Sequence, residues 1–317
     1  MNKLAIVFPG QGTQYIGMGK EFFLNYKKAR EVFEKANAYM DYDYCKQIFQ
    51  GNSAFFDSGE NTQLAIFITS VAMYEVYKES QKGLLCEYFA GHSLGEYTAL
   101  YAGGVIDLNE GIELVRNRGK LMQKATLSNK GSMVAVVADN IHEITDTVST
   151  MGFKDIFIAN INSYNQIVYS GTEQAIGKLI KNLEGLEDFR TIKLEVSGAF
   201  HSQMMNSAAQ EMKPILRHSN MKKTNANIIA NIDAKVYSSV SEIREKLVKQ
   251  IISPVQWVGT VNTMLEAEVD TILEIGPGKV LTGLNKKICR KGKSKIKCFS
   301  IRDVETLNTT LEEFKEM

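Results

Sequence analysis

One serine lies in the local sequence of a reactive nucleophile. Ser93 is the centre of a G-x-S-x-G string at 91–95, between an apolar run at 84–90 and a helix-forming run at 96–102. This order of strand, sharp turn and helix is what a nucleophile elbow needs, because the flanking glycines let the chain turn tightly and leave the hydroxyl exposed. Small-residue turns that contain serine are common, so the flanking elements carry the prediction.

A nucleophilic serine needs a base and a site for the developing oxyanion. His201 is the candidate base, because it precedes a helical pattern at 203–216 and a helix N-terminus favours the neutral imidazole. The candidate oxyanion hole combines the amides of Gln11 and Leu94, since Gln11 lies in the loop 8–12 after the first apolar strand, where parallel sheets form ligand sites. A single histidine and a Gly/Pro turn are each more often structural, and no acidic residue stands out as a third triad member.

A buried arginine is the second chemical signal. Within the helical pattern at 107–124, the residues Ile112, Val115 and Met122 form an apolar stripe. Arg118 follows Val115 by three residues and precedes Met122 by four, so it interrupts that stripe on the buried face. A buried guanidinium without an anion is costly, so Arg118 pairs either with a protein carboxylate or with a substrate carboxylate, and the pattern leaves both open.

The composition excludes several classes of protein. With 317 residues, 44% of them hydrophobic and 23% charged, the chain is of ordinary globular type, and its net charge of +1 gives no sign of nucleic-acid or membrane-surface binding. Neither a signal peptide nor an apolar run of membrane-spanning length is visible, so we expect a cytoplasmic protein. The four cysteines and four histidines lack the spacing of a zinc site, and we expect no metal.

The elements that must position these residues alternate along the chain. Short apolar runs typical of strands occupy 4–8, 84–90, 227–231 and 271–275. Long helical patterns lie between them, at 19–40, 62–79 and 107–124. Alternation of this kind predicts an α/β fold with a largely parallel sheet.

A different pattern occupies residues 129–196. The predicted strands are 133–138, 156–161, 166–170 and 190–196, and the predicted helices are 141–151 and 173–183. The order βαββαβ is the ferredoxin-like one, entered through a polar linker at 127–131. We therefore predict a large α/β catalytic domain from 1–128 and 197–317, with a small ferredoxin-like subdomain at 129–196 inserted in it.

Six motifs in order resemble one family. They are FPGQG at 8–12, GHSLGE at 91–96, VRNRG at 115–119, GAFHS at 198–202, SPVQW at 253–257 and EIGPG at 274–278. Together they are similar to the motifs of malonyl-CoA:acyl carrier protein transacylases, from about residue 4 to residue 290. The resemblance implies a hydrolase-like α/β core with a parallel sheet, a ferredoxin-like insertion, and an active site between them.

The resemblance also implies roles for single residues. Ser93 would be the acylated nucleophile, His201 its base, and Arg118 the residue that holds the malonyl carboxylate. In place of a triad acid, the family orients its histidine through a backbone carbonyl, which matches Gln256 here. The amides of Gln11 and Leu94 would form the oxyanion hole.

Four further residues are expected in the substrate pocket: Met122, Phe200, Asn162 and Gln63. The segment 198–201 is similar to malonyl-selective acyltransferases, particularly free-standing ones that serve modular polyketide synthases. Phe200 would crowd a 2-methyl branch, although one methyl group is worth only about 1–3 kcal/mol in a pocket. The chain departs from the family's usual residues at Leu64, Tyr164 and Asn165.

The implied function is transfer of a malonyl group from malonyl-CoA to the phosphopantetheine thiol of an acyl carrier protein, for fatty acid or polyketide synthesis. No metal or bound cofactor is implied, and we expect a monomer. A serine hydrolase that uses Ser93 and His201 with water is the alternative, but an ordinary α/β-hydrolase places its histidine near the C-terminus. A non-catalytic scaffold that binds the carrier protein is disfavoured, because Ser93, His201 and Arg118 are all present.

A basic stretch at 285–297 leaves two interpretations open. It carries Lys286, Lys287, Arg290, Lys291, Lys293, Lys295 and Lys297. Carrier proteins are typically acidic, so the stretch could bind the partner or the phosphates of CoA. A solvated basic face without a partner is the simpler interpretation.

Overall fold

The computed structural model describes residues 3–81, 86–196, 198–292 and 296–316. The strands are β1 (Leu4–Phe8), β2 (Cys86–Gly91), β3 (Gly131–Val137), β4 (Ile156–Ser163), β5 (Gln166–Thr172), β6 (Arg190–Lys193), β7 (Asn227–Ile228), β8 (Thr271–Ile275) and β9 (Lys297–Ile301). The described strands form two separate sheets, one parallel and one antiparallel.

Helices surround both sheets. They are α1 (Lys20–Asn25), α2 (Lys27–Asn37), α3 (Tyr44–Gln50), α4 (Gly59–Ser80), α5 (Gly95–Ala102), α6 (Leu108–Ser128), α7 (Ile141–Thr150), α8 (Glu173–Leu183), α9 (Asn206–His218), α10 (Val240–Gln250), α11 (Trp257–Glu266), α12 (Val280–Lys291) and α13 (Val304–Lys315). Two short 3₁₀ turns lie at Ser53–Asp57 and Gln203–Met205. None of the helices described is long and apolar enough to cross a lipid bilayer.

The parallel sheet has the strand order β7-β2-β1-β8-β9. Its central strand β1 is buried at every position, as is its neighbour β8. A parallel strand that is covered on both faces needs a continuous apolar run, which explains why these two strands were predicted with the correct bounds. The prediction of an α/β fold with a parallel sheet is confirmed.

Other elements of this sheet differ from the prediction. The described part of β2 begins at residue 86, and residues 84 and 85 of the predicted run lie outside the described residues. Strand β9 was not predicted, because it is a half-buried edge strand whose sequence continues the lysine-rich stretch before it. An edge strand with one exposed face lacks the apolar run that marks β1 and β8.

The predicted helix at 19–40 is two helices. Tyr26 has an extended backbone, with φ −125° and ψ 125°, and it separates α1 from α2. The side chain of Arg30 donates to the carbonyls of Phe23 and Leu24, so the end of α1 has acceptor groups that are satisfied. Apolar periodicity across both helices is continuous, and it does not reveal a single extended residue.

The antiparallel sheet has the order β4-β5-β3-β6, which is the strand order of a ferredoxin-like unit. Helices α7 and α8 contribute Ile144 and Leu179 to the apolar core on one face of this sheet. Strand β4 also bonds to the parallel-sheet part of the chain, since Ile161 N donates to Val255 O and Val255 N donates to Ala159 O. The domain limits at residues 128 and 196 stay a prediction.

Candidate active site

The turn that carries Ser93 is tight and strained. Ser93 has φ +53°, in the left-handed region, between the end of β2 and the start of α5. A Cβ on Gly91 would lie 1.9 Å from the carbonyl carbon of Gly95, and one on Gly95 would lie 2.1 Å from the carbonyl oxygen of Phe8. Both positions therefore require glycine. A non-glycine residue in the left-handed region costs roughly 1–2 kcal/mol, which the surrounding contacts must offset.

His201 lies within hydrogen-bond reach of this serine. Its Nε2 is 2.8 Å from Ser93 Oγ, and its Nδ1 is 2.8 Å from the backbone oxygen of Gln250. A carbonyl only accepts, so Nδ1 carries the proton and Nε2 presents its lone pair to the hydroxyl. The imidazole is thus in the tautomer that a general base needs.

Burial keeps this imidazole neutral. Desolvation and the nearby positive charge of Arg118 lower the pKa of His201 to about 3. From the sequence we expected a helix N-terminus to keep the imidazole neutral. In the structure the largest cause of the lowered pKa is burial, followed by the charge of Arg118. A base that is neutral throughout the physiological range can accept the serine proton without first losing one of its own.

The prediction that Gln256 orients His201 is wrong. The carbonyl of Gln256 accepts from Thr260 N and Thr260 Oγ1 in the first turn of α11. Gln250 is the last residue of α10, where backbone carbonyls have no partner within the helix, so its oxygen is free to accept from His201. A sequence signal for Gln250 exists, since it follows Ile243 and Leu247 on the buried face of α10 and interrupts an apolar stripe as Arg118 does.

Arg118 is buried beside the serine, with 1% of its surface exposed. Its Nη2 donates to Ser93 Oγ and to Gln250 Oε1, each at 3.0 Å, and its Nη1 donates to Gln63 Oε1. The guanidinium carbon lies 5.6 Å from the centre of the Tyr97 ring. Among the described residues no carboxylate is within ion-pair distance of Arg118, and its Nε has no partner. The protein-carboxylate alternative from the sequence is not observed.

Ser93, His201 and Arg118 share one narrow cavity of about 80 Å³. Its other lining residues are Gln11, Gln63, His92, Leu94, Met122, Met133, Asn160, Leu194, Val196 and Phe200. Gln11, Leu194 and Val196 also line an adjacent, wider cleft of about 640 Å³. The structure therefore brings together the predicted residues Gln11, Gln63, Leu94, Met122 and Phe200.

The amides of Gln11 and Leu94 are available to a ligand. In the described ranges, neither amide donates a hydrogen bond to another protein group. Both residues line the cavity beside Ser93. Two free N–H groups next to a nucleophile are what an oxyanion hole requires.

Asn162 is not on the cavity wall. Its Oδ1 lies 2.9 Å from His92 Nε2 and its Nδ2 donates to Gln166 Oε1, so both ends of the amide are engaged by protein. Asn160, two residues earlier in β4, lines the cavity instead, and its Oδ1 has no partner among the described residues. The expectation for Asn162 is thus corrected to Asn160, since the pairing register of β4 is irregular between Ile161 and Ser163, where Asn162 lies.

Two more polar residues behind the elbow were not predicted. Asn231 Oδ1 accepts from Ser93 N at 2.7 Å, and Asn231 Nδ2 donates to Gly91 O. Glu96, which is 1% exposed, accepts from Asn231 N and from Gln250 Nε2, and burial raises its pKa to about 7. Glu96 belongs to the GHSLGE motif, and the available signal was a single carboxylate directly after the elbow, followed by the uncharged helical run 97–102.

No described residue of the basic stretch lines the cavity. Lys286, Lys287, Arg290 and Lys291 are exposed on α12, and Lys293 and Lys295 lie outside the described residues. Lys291 donates to the carbonyl of Asp139. Partner binding by this stretch stays a prediction.

The site combines an activated serine with a buried cation in one cavity. Such an arrangement can attack an acyl group whose far end carries a carboxylate. The hydroxyl supplies the nucleophile, the imidazole takes the proton, and the guanidinium supplies a charge-assisted contact to the carboxylate.

Comparison with known proteins gives the family. Residues 5–312 match the family model "Acyl transferase domain". The chain is 37% identical to the malonyl CoA-acyl carrier protein transacylase of Bacillus subtilis (strain 168), covering all of this chain and 98% of the relative. It is 36% identical to the transacylase of Haemophilus influenzae, covering 99% of each.

Solved structures of transacylases have the same fold as this chain. The malonyl CoA-acyl carrier protein transacylase from Clostridium perfringens superposes with a TM-score of 0.92 at 34% identity, covering 99% of this chain and 98% of that one. A malonyl-transacylase in complex with a type II PKS acyl-carrier protein superposes with a TM-score of 0.92 at 32% identity, covering 98% and 100%. The chain therefore belongs to the acyltransferase family of malonyl-CoA:acyl carrier protein transacylases.

Proposed function

We propose that this protein transfers a malonyl group from malonyl-CoA to the phosphopantetheine thiol of an acyl carrier protein through an acyl intermediate on Ser93. One observation carries the proposal: Ser93 Oγ lies 2.8 Å from His201 Nε2 and 3.0 Å from Arg118 Nη2. The nucleophile, its base and a receptor for a carboxylate therefore share a cavity. A hydrolase for simple esters has no use for the buried guanidinium.

In the first half-reaction, His201 Nε2 takes the hydroxyl proton as Ser93 Oγ attacks the thioester carbonyl. The amides of Gln11 and Leu94 stabilise the oxyanion of the tetrahedral intermediate. The carbon–sulfur bond then breaks, and His201 returns the proton to the departing CoA thiolate. Because the Gln250 carbonyl accepts from His201 Nδ1, it stabilises the imidazolium that exists between these two proton transfers.

The second half-reaction reverses these steps with another thiol. The phosphopantetheine thiol gives its proton to His201 and attacks the Ser93 ester, and Ser93 leaves with the proton from His201. The relatives' names include malonyl CoA and acyl carrier protein, which supports this choice of donor and acceptor. The chemistry uses no metal or bound cofactor, since the phosphopantetheine belongs to the partner.

Arg118 selects the malonyl group. Arg118 lines the cavity with its Nη2 next to Ser93 Oγ, where the guanidinium can make a charge-assisted contact with a substrate carboxylate. Phe200 lines the same cavity, and we expect it to crowd a 2-methyl branch. We also expect the protein to act in the cytoplasm, where malonyl-CoA and carrier protein serve fatty acid or polyketide synthesis.

Intact-mass measurement tests the proposal. The protein is mixed with malonyl-CoA, freed of CoA, and then given a holo acyl carrier protein. We expect a malonyl adduct on Ser93 that persists in buffer and moves to the carrier protein, and no adduct on a Ser93→Ala variant. Rapid loss of the adduct to water would favour the hydrolase alternative, and no adduct at all would favour a non-catalytic binding role.

A further inference from the structure

A buried carboxylate lies directly behind the elbow. Glu96 Oε1 accepts from the Tyr237 hydroxyl and from Asn231 N, and its Oε2 accepts from Gln250 Nε2 at 2.6 Å. Every polar contact of this carboxylate is thus with a donor. Buried carboxylates are rare in proteins unless they are paired with a cation, whereas the hydrogen-bond partners of Glu96 are all uncharged groups.

The amide of Gln250 connects this carboxylate to the cavity. Its Nε2 donates to Glu96 Oε2 and, at 2.8 Å, to the backbone oxygen of Ser93, while its Oε1 accepts from Arg118 Nη2 at 3.0 Å. Carboxylate and carbonyl oxygens only accept, and a guanidinium only donates. These partners therefore allow the Gln250 amide one orientation, with its oxygen towards Arg118.

We propose that Glu96 is a positioning residue for substrate selection: its carboxylate fixes the orientation of the Gln250 amide, which in turn holds Arg118 where it can receive the malonyl carboxylate. The inference rests on the proposed function. It assigns to Glu96 an effect on the choice between malonyl and acetyl groups, because an acetyl group has no carboxylate for Arg118 to bind.

Glutamine cannot take over this role. With its amide nitrogen towards Gln250 it would face the Nε2 donor of that residue, and a compensating flip of Gln250 would turn N–H groups towards Arg118. With its nitrogen towards Asn231 it would oppose the backbone N–H of Asn231, whose side chain bonds to Ser93 N. Either orientation leaves a buried donor unpaired and disturbs the elbow or the Arg118 contact.

The test measures the rate of adduct formation on Ser93 with malonyl-CoA and with acetyl-CoA, and takes the ratio of the two rates. For Glu96→Gln we expect this ratio to fall about tenfold or more, as a buried unpaired donor requires. Gln250→Met keeps the backbone carbonyl that faces His201 and removes only the amide, so it should lower the ratio similarly. In the double variant the ratio should fall no further than in Gln250→Met alone, because Glu96 acts through that amide.

Glu274→Gln is the matched control. Glu274 is also fully buried, but its oxygens accept from Leu281 N, Thr282 N and Thr282 Oγ1 at the start of α12, with no link to Gln250. This variant should lose stability and keep the wild-type ratio.

Two results would overturn the inference. One is an unchanged ratio of malonyl to acetyl loading in Glu96→Gln, whether both rates stay the same or fall equally. The other is a double variant whose ratio falls further than that of Gln250→Met alone. If Glu96→Gln does not fold, Glu96→Asp decides, since it withdraws the carboxylate by one methylene and should lower the ratio in the same direction. A wild-type protein that forms no malonyl adduct would refute the proposed function instead, so the two failures are distinguishable.

Discussion

Replacing Arg118 by methionine should change which acyl group the protein accepts. Methionine fills a similar volume with a straight apolar chain, so the variant removes the guanidinium with little change in packing. The variant also loses the hydrogen bonds that the guanidinium donates to Ser93 Oγ, Gln250 Oε1 and Gln63 Oε1. A malonyl carboxylate that enters the variant cavity would be buried without a counter-charge.

The size of the effect follows from the burial of this site. Removing one partner of a buried ion pair costs about 3–5 kcal/mol. Each 1.36 kcal/mol is tenfold in rate, so malonyl loading should fall roughly 10²- to 10⁴-fold. Acetyl loading uses Ser93 and His201 without a carboxylate contact, and we expect it to change by less than about tenfold, within the cost of one hydrogen bond.

The assay is the rate of adduct formation on Ser93 with each acyl-CoA, followed by intact mass. Arg116→Met is the matched control, because Arg116 lies on the same helix with its side chain 40% exposed and pairs with Glu60 at the surface. That variant should load both groups at wild-type rates. Equal losses of malonyl and acetyl loading in Arg118→Met would refute the reasoning and show that Arg118 only supports the fold.

Two further predictions concern stability. The pKa of His201 is lowered in the folded state to about 3 from its usual 6.5. Between these two pH values the unfolded chain binds more protons than the folded protein does. The stability of the wild type therefore falls as the pH falls from 6.5 to 3. Relative to His201→Gln, the wild type should lose about 1.4 kcal/mol per pH unit below pH 6, measured by urea unfolding, and parallel stability curves would contradict this. Because Ser93 has φ +53°, Ser93→Gly should be more stable than Ser93→Ala by roughly 1 kcal/mol, although both lack the hydroxyl. Equal melting temperatures for these two variants would show that the elbow is unstrained.

Local pattern was enough to find the residues at the centre of the site. The elbow around Ser93 is a short-range feature, in which two glycines and their flanking runs are close in the chain and in space. The burial of Arg118 was also predictable, because the helical repeat assigns it to the same face as Val115 and Met122. Both predictions depend on spacings of two to four residues.

Two site residues were assigned wrongly from the sequence, Gln256 and Asn162. In both cases the correct residue depends on contacts with another segment of the chain. Gln256 and Gln250 both offer a backbone carbonyl, and the difference is that one carbonyl begins a helix while the other ends one. Asn160 and Asn162 are two residues apart in β4, but Asn160 lines the cavity whereas Asn162 bonds to His92 and Gln166. The family motifs encode neither distinction, although the position of Gln250 on the buried face of its helix was an available signal.

The sequence by itself determined the α/β class, the elbow and the residues capable of the chemistry, because these follow from periodicities of two and 3.6 residues and from glycine at a strained turn. Only the tertiary structure decided how those residues meet. Ser93 and His201 are 108 positions apart, and His201 and Gln250 are 49 apart, so no local pattern relates them. Their contacts arise because the segment before α9, which carries His201, and the end of α10 both lie against the elbow, where burial leaves each polar group only the partners that the fold supplies.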